Sequence, residues 1–318
     1  MRCRNCREKA VIHMPAHKLA LCGSCYISWF EGYTERTIQK FNMLKPGEQI
    51  LVAVSGGKDS LALWQVLTRL GVNTTALYIH LGIAQKEYSD TSLAKARAFE
   101  ERLNSSLIVI DVAKELGMSV PETKRLMSRK VCATCGLIKR YYMNKTAADG
   151  EFDAIATGHN LDDETASLLG NTMEWRLSYL KRQHPVLAER PPGLKKKVKP
   201  FCYFTEKETA TYAFLTGIDY IMTECPYALH ASSIEYKNVL NALEENGAGR
   251  KRRFYDHLLK AQGHLAFPEE AELNRCRICN QPTTLSVCSF CNISKKIREI
   301  KDKKPSAISR QHSAVAEV

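Results

Sequence analysis

Between residues 49 and 183 the chain alternates short, unbroken apolar runs with longer stretches of helical periodicity. The runs at 49–54, 75–79, 107–111 and 152–157 have no polar alternation, as expected of strands buried on both faces of a parallel sheet. Helical patterns lie around 60–70, 90–103, 136–148 and 163–180. This order predicts a doubly wound α/β sheet, in which ligands bind beyond the carboxyl ends of the strands. Residues 186–265 read as helices joined by basic loops. Residues 1–30 and 270–295 have little periodicity and read as separate small modules. The polar tail 303–318 is expected to be disordered.

Composition narrows the class. Of 318 residues, 44% are hydrophobic and 25% charged, so a packed globular chain is expected. No apolar run has the length of a membrane span, and the start MRCRNCREKA lacks the apolar core of a secretory signal. The 46 basic and 34 acidic residues leave a net charge of +12, which points to a polyanion, nucleic acid before a membrane surface. There are 12 cysteines, and all but Cys202 and Cys225 fall in C-x2-C pairs. A long chain without an export signal suits metal-bound thiolates in a reducing, cytoplasmic compartment better than disulfides. Cys202 has no partner in the pattern and reads as a core residue.

Ser55-Gly-Gly-Lys-Asp-Ser60 directly follows the first strand and opens a helix. Gly56 and Gly57 leave room for backbone N–H groups to converge on an anion. Lys58 adds a cation, and Ser55 and Ser60 add hydroxyl donors. This string resembles the pyrophosphate loop of the N-type ATP pyrophosphatases, which cleave ATP between its α and β phosphates and adenylate a substrate. Ala156-Thr-Gly-His-Asn-Leu-Asp-Asp-Glu164 is similar to that family's second nucleotide motif. The resemblance implies ATP contacts at Ala53, Ser55, Gly56, Gly57, Lys58, Asp59, Ser60, His80, Gly158, His159, Asp162 and Asp163. For Asp162 and Asp163, helix capping and metal binding are equal readings.

Cys132-Ala-Thr-Cys135 leads into a helix, and Cys225 stands alone in Glu224-Cys-Pro-Tyr227. Three thiols are one ligand short of a closed metal site. They suit a 4Fe–4S cluster with one open iron, a persulfide pair such as Cys132 with Cys225, or plain core cysteines. Taken in order, SGGKDS, CxxCGxxKR, TGHNLDD and ECPY resemble the TtuA-type tRNA 2-thiolation enzymes. That resemblance spans residues 1–295. It implies a PP-loop catalytic domain over 31–265, cluster ligation by Cys132, Cys135 and Cys225, and a catalytic pair in Asp59 and Lys139. It also implies a ubiquitin-like sulfur carrier protein with a C-terminal thiocarboxylate.

Cys3-x2-Cys6 and Cys22-x2-Cys25 are separated by fifteen residues, Cys276-x2-Cys279 and Cys288-x2-Cys291 by eight. Both are spacings of closed structural zinc sites, giving two Zn2+ in all. Arg2, Arg4, Arg7, Lys9 and Lys18, with Trp29 and Phe30, suit RNA contacts as well as a solvated face. The basic runs 194–199 and 250–253 suit phosphate contacts, as do Arg176, Lys181 and Arg182. Together these features predict an ATP-dependent tRNA sulfurtransferase. Uridine O2 is adenylated, with Mg2+ near Asp59, and sulfur held at the three-cysteine cluster replaces it. Alternatives are a cytidine-thiolating relative and a non-catalytic zinc-ribbon RNA-binding protein. The modified uridine, in the T-arm or the anticodon, is left open, and a homodimer is compatible with the sequence.

Overall fold

The computed structural model describes residues 1–124, 131–228 and 232–303, so the polar tail from 304 onward lies outside the described residues. The chain begins with a hairpin of β1 (Ile12–Met14) and β2 (Leu19–Leu21), followed by α1 (Gly23–Lys40). Helix α1 runs without interruption across position 30, the expected end of the first module. Its Phe30 is fully buried, stacked on Phe204 at 3.9 Å and Tyr212 at 4.4 Å. Phe30 is therefore a core residue and not an RNA-stacking one. Trp29 is likewise engaged, stacked on Tyr33 at 5.4 Å.

The central unit continues through β3 (Gln49–Val54), α2 (Lys58–Arg69), β4 (Asn73–His80), α3 (Tyr88–Leu103) and β5 (Ser106–Asp111). Two short helices follow, α4 (Val112–Leu116) and α5 (Val120–Thr123). Next come α6 (Val131–Asp149), β6 (Ala154–Thr157), α7 (Leu161–Met173), α8 (Leu177–Lys181), β7 (Val186–Leu187) and β8 (Lys196–Val198). Helices α9 (Glu206–Leu215), α10 (Ser232–Glu245) and α11 (Arg250–Ala261) complete it. A small hairpin, β9 (Asn274–Arg275) and β10 (Pro282–Thr283), then leads into α12 (Ser289–Lys303).

The sheet has the order β5-β4-β3-β6-β8-β7 and is parallel except for β7. Alternation along β3 separates the two faces. Ile50, Val52 and Val54 pack with α1, α2 and α9, while Leu51 and Ile155 pack with α6. The N-terminal cysteine module joins the first of these cores and the C-terminal module the second, so the two modules brace opposite faces. On the second face, Phe290 of α12 stacks on Tyr141 of α6 at 3.5 Å.

Two stretches depart from the pattern reading. The expected helix 163–180 is two helices, because Trp175 takes a left-handed φ of 48° after α7. The N–H groups of Trp175 and Arg176 bond the Thr172 and Asn171 carbonyls at 3.1 and 2.9 Å, a Schellman ending in which glycine would be the usual residue. The run 194–199 is largely strand β8 and not a basic loop. Lys196 pairs with Glu48 at 2.9 Å and Lys199 with Glu164 at 2.7 Å, so neither is free for phosphate. Lys251, in the second basic run, is buried against Asp162. Cys202 is fully buried, as its isolation suggested.

Candidate active site

From β3 the chain winds outward through β4 and β5, then returns to β6 on the other side of β3. The crevice at this switch point is where a doubly wound sheet binds ligands. Here it is a cavity of about 320 Å³. Its wall includes Ala53, Ser55, Gly57, Asp59, Ser60, Gly158, His159, Asp163 and Lys139, which brings most of the expected nucleotide contacts together with the expected catalytic pair. Tyr78, Tyr88 and Met143 also line it, and sequence reasoning did not find them.

The loop after β3 is shaped by close approaches. Gly56 has φ +74°, and a Cβ there would collide with the Ser92 carbonyl oxygen. A Cβ on Gly158 would lie 2.8 Å from the Asp59 carbonyl group, so the two nucleotide motifs touch backbone to backbone. The Ser55 N–H donates to Ser60 Oγ at 3.0 Å, and the Ser60 hydroxyl donates to the Gly57 carbonyl at 3.0 Å. Helix α2 starts at Lys58, so its unpaired N–H groups and positive dipole end face the cavity.

Four expected contacts do not line the cavity: Gly56, Lys58, His80 and Asp162. Lys58 Nζ sits between Glu206, at 2.8 Å, and Asp59, at 3.4 Å. His80 Nε2 lies 3.1 Å from Asp90. Asp162 accepts the Glu206 N–H at 2.7 Å and pairs with Lys251, whereas Asp163 does cap α7, accepting the Asn160 N–H at 3.1 Å in a capping box with Asn160. Gly56 faces backward, its carbonyl accepting the Ile221 N–H at 2.9 Å.

Asp59 is held from behind by Thr209, which donates to Oδ1, and by Asn160 Nδ2 at 3.4 Å. Burial raises its pKa above the ordinary carboxylate value, with Lys58 and Thr209 acting the other way. Burial opposes the charge on Lys58, but Asp59 and Glu206 more than offset it and its pKa is raised. Glu206 is also buried against its charge, yet Lys58 and Lys237 hold its pKa down. Lys237, on α10, additionally pairs with Asp163 at 2.6 Å. Burial lowers the pKa of His159, favouring the neutral ring, whose Nδ1 is 2.8 Å from Thr157 Oγ1. Local capping-box signals mark two of the helices that carry these partners, Asn160 with Asp163 at the start of α7 and Thr205 with Glu208 at the start of α9. Thr209 and Lys237 left none.

Cys132 and Cys135 lie in the first turns of α6, and Lys139 follows Cys135 by one turn on the same face. The segment bearing Cys225 is tied to the loop by the Ile221–Gly56 bond, and the Cys132 thiol donates to the Tyr227 carbonyl at 3.3 Å. Burial raises the Cys135 pKa, with Lys139 opposing it and Cys225 and Cys132 reinforcing it. All three thiols are free. Unlike the two terminal sets, they do not form a group whose ligand atoms all lie within 4.8 Å of one another. Three thiol donors without a fourth fit a cluster that keeps one iron free of protein ligands.

A profile of the PP-loop domain matches residues 31–224, and one of the 2-thiouridine synthetase TtuA N-terminal LIM domain matches residues 2–27. The tRNA-5-methyluridine(54) 2-sulfurtransferase of Thermus thermophilus is 47% identical, over 92% of this chain and 91% of that protein. Its counterpart from Pyrococcus horikoshii is 41% identical, over 94% and 96%. The chain belongs to the TtuA-type family. The U34-tRNA thiolase NcsA of Methanococcus maripaludis, solved with its [4Fe-4S] cluster, shares the fold with a TM-score of 0.77 at 24% identity, over 93% of this chain and 96% of that one.

Each terminal cysteine module forms a tight four-sulfur set. Cys3, Cys6, Cys22 and Cys25 make one, and Cys276, Cys279, Cys288 and Cys291 the other, each with its ligand atoms within 4.8 Å of one another. Backbone N–H groups from Cys6 and Cys22 bring the Cys3 thiol down to about 6. Burial opposes the same effect at Cys276, yet the N–H groups of Cys288 and Cys279 lower it to about 6. Four converging sulfur donors in each set fit a tetrahedral Zn2+.

Proposed function

We propose that this chain is an ATP-dependent tRNA sulfurtransferase that converts 5-methyluridine 54, in the T-arm, to its 2-thio form. The observation that carries the reading is the meeting of two chemistries in one crevice. An anion-binding loop with Asp59 faces Lys139, and Lys139 stands one helical turn from Cys135. The choice of uridine 54 is supported by relatives at 36–47% identity that carry that name. The relatives named cytoplasmic tRNA 2-thiolation protein 1 stand at 27–28%. A cytoplasmic setting is in keeping with those names and with the unpaired state of every cysteine.

Uridine O2 attacks the α-phosphorus of ATP and the bond to the bridging oxygen breaks, releasing pyrophosphate. The N–H groups at the start of α2 and Lys58, swinging off Glu206, hold the phosphates. The uridine N3 proton passes to Asp59 Oδ2, the oxygen not engaged by Thr209. Lys139 has no carboxylate partner among the described residues, and its ammonium balances charge on the α-phosphate. C2 now carries AMP as a leaving group, so a sulfur nucleophile can add there and expel it. A [4Fe–4S] group bound by Cys132, Cys135 and Cys225 would supply an iron without a protein ligand, a place for sulfur to reside. A ubiquitin-like carrier with a C-terminal thiocarboxylate is the donor that the family resemblance supports.

The test is anaerobic incubation with ATP, sulfide and unmodified or 5-methyluridine-bearing tRNA, followed by nucleoside mass spectrometry and analysis of nucleotide products. We expect a 2-thio nucleoside at position 54, with AMP and pyrophosphate. Thiolation confined to position 34, or release of ADP and phosphate, overturns the reading.

A further inference from the structure

A second cavity, of about 430 Å³, lies on the far side of β8 from the sheet centre. Its wall carries Lys181, Arg182, His184, Arg190, Lys195 and Lys197. Strand alternation explains the lysines: Lys195 and Lys197 turn toward the cavity while Lys196 turns to Glu48. Glu270 is the acidic residue on the wall, and Arg190 already engages it at 2.7 Å. Arg182, Lys195 and Lys197 have no carboxylate within ion-pair distance among the described residues. Burial, and then the neighbouring Arg140, Arg182 and Lys199, pull the Lys197 pKa down to about 8. Unbalanced cations pressed together in a concave site call for an anion with several oxygens.

Two further features say which anion. Helix α8 meets the cavity at its C-terminal end, through Lys181, and its two ends lie about 8 Å apart. At its start Trp175 is 73% exposed and Tyr179 63%, with the Arg176 guanidinium 5.9 Å from the Tyr179 ring centroid. The left-handed turn at Trp175 holds the indole out where a glycine would end the helix more easily. Meanwhile Arg140, close enough to influence both Lys197 and Cys135, links the cavity to the three-cysteine site, and its neighbour Lys139 lines the nucleotide pocket. Aromatic faces beside a cationic groove are the means by which unpaired nucleotides are held, because a base inside a duplex has no free face.

We propose that this cavity and the rings beside it form the subsite that grips an unpaired stretch of the tRNA, with Arg182, Lys195 and Lys197 on phosphodiester oxygens and Trp175 and Tyr179 beneath an unstacked base. The inference rests on the tRNA reading above and adds where the RNA lies. A target uridine drawn out of its loop toward Lys139 leaves neighbours that need such a support.

The experiment measures binding of fluorescent tRNA to the full chain across a salt series, for wild type, Arg182→Gln/Lys195→Gln and Trp175→Ala. The double substitution should lower the salt slope by about one to two units and weaken binding about tenfold at the lowest salt. Trp175→Ala should weaken binding about tenfold with the slope unchanged, and in wild type the indole emission should be quenched by tRNA. ATP binding should be the same in all three. Wild-type binding and thiolation with unaltered slope and affinity in both variants would overturn the subsite alone. Failure of the wild type to bind or thiolate tRNA would instead overturn the functional reading. If Trp175→Ala changes the oligomeric state by sedimentation and leaves tRNA binding intact, the patch is a face between copies of the chain, and the subsite is again overturned.

Discussion

Lys251 and Asp162 form an ion pair with each side chain only 4% exposed, joining the start of α11 to the first turn of α7 behind the nucleotide pocket. Asn241 shares the ammonium, and the second Asp162 oxygen takes the Glu206 N–H. Breaking one side of such a pair leaves a buried charge. Lys251→Met should therefore cost about 3–5 kcal/mol in urea unfolding. Lys251→Met combined with Asp162→Asn should recover much of that. Equal stability of wild type and the single variant would show that the pair is solvated.

Thr209 bears on the protonation of Asp59. Burial raises the Asp59 pKa, and the Thr209 hydroxyl draws it partly back. Removing the hydroxyl favours the protonated acid, so Thr209→Val should move the acid limb of the thiolation rate profile to higher pH. Nucleotide affinity at high pH should stay near that of wild type. An unmoved limb would mean that the ionisation of Asp59 does not govern that limb.

Two glycines with left-handed φ should respond differently to alanine. At Gly47, φ +84°, a Cβ meets nothing within 4 Å, so Gly47→Ala should cost about 1 kcal/mol of stability and leave ATP binding alone. At Gly56 the same change drives a Cβ into Ser92, so the loop must move and ATP binding should fall by at least about a hundredfold, as calorimetry would show.

Metal analysis of anaerobically prepared protein separates the cysteine sets. Wild type should carry two zinc ions and one iron cluster. Cys225→Ser should lower iron and leave zinc unchanged. If Cys225 instead belongs to a persulfide pair, iron will be equal in both proteins and sulfur will accumulate on Cys132 or Cys135.

Where the chain was readable, it was because one physical demand acted on adjacent residues. Strands β3 to β6 are covered on both sides, and their uninterrupted apolar runs say so. The four-cysteine modules are closed over short separations, and their spacing alone brings their thiols together. Strand β8 was hidden because lysines on alternate faces meet different tertiary partners, Glu48 and the basic cavity, and so read as a loop. The break before α8 was hidden because Trp175 occupies a place where glycine would have marked it. Thr209 and Lys237 reach the pocket from helices far along the chain, and no local pattern records that approach. The aromatic pair Trp29 and Phe30 looked suited to RNA, but the fold turns both into packing and exposes Trp175 and Tyr179 instead.

The stacking of Phe290 on Tyr141 has a wider consequence. Tyr141 is two residues beyond Lys139 on the helix that also bears Cys132 and Cys135. The C-terminal four-cysteine set is thus fastened to the same rigid rod as Cys132, Cys135 and Lys139. If a Zn2+ ion fills that set, stripping it should loosen the rod at one end and misalign the thiols and lysine at the other. A cell starved of zinc would then lose thiolation even while its iron supply held, with trace-metal status written directly into the maturity of its tRNA.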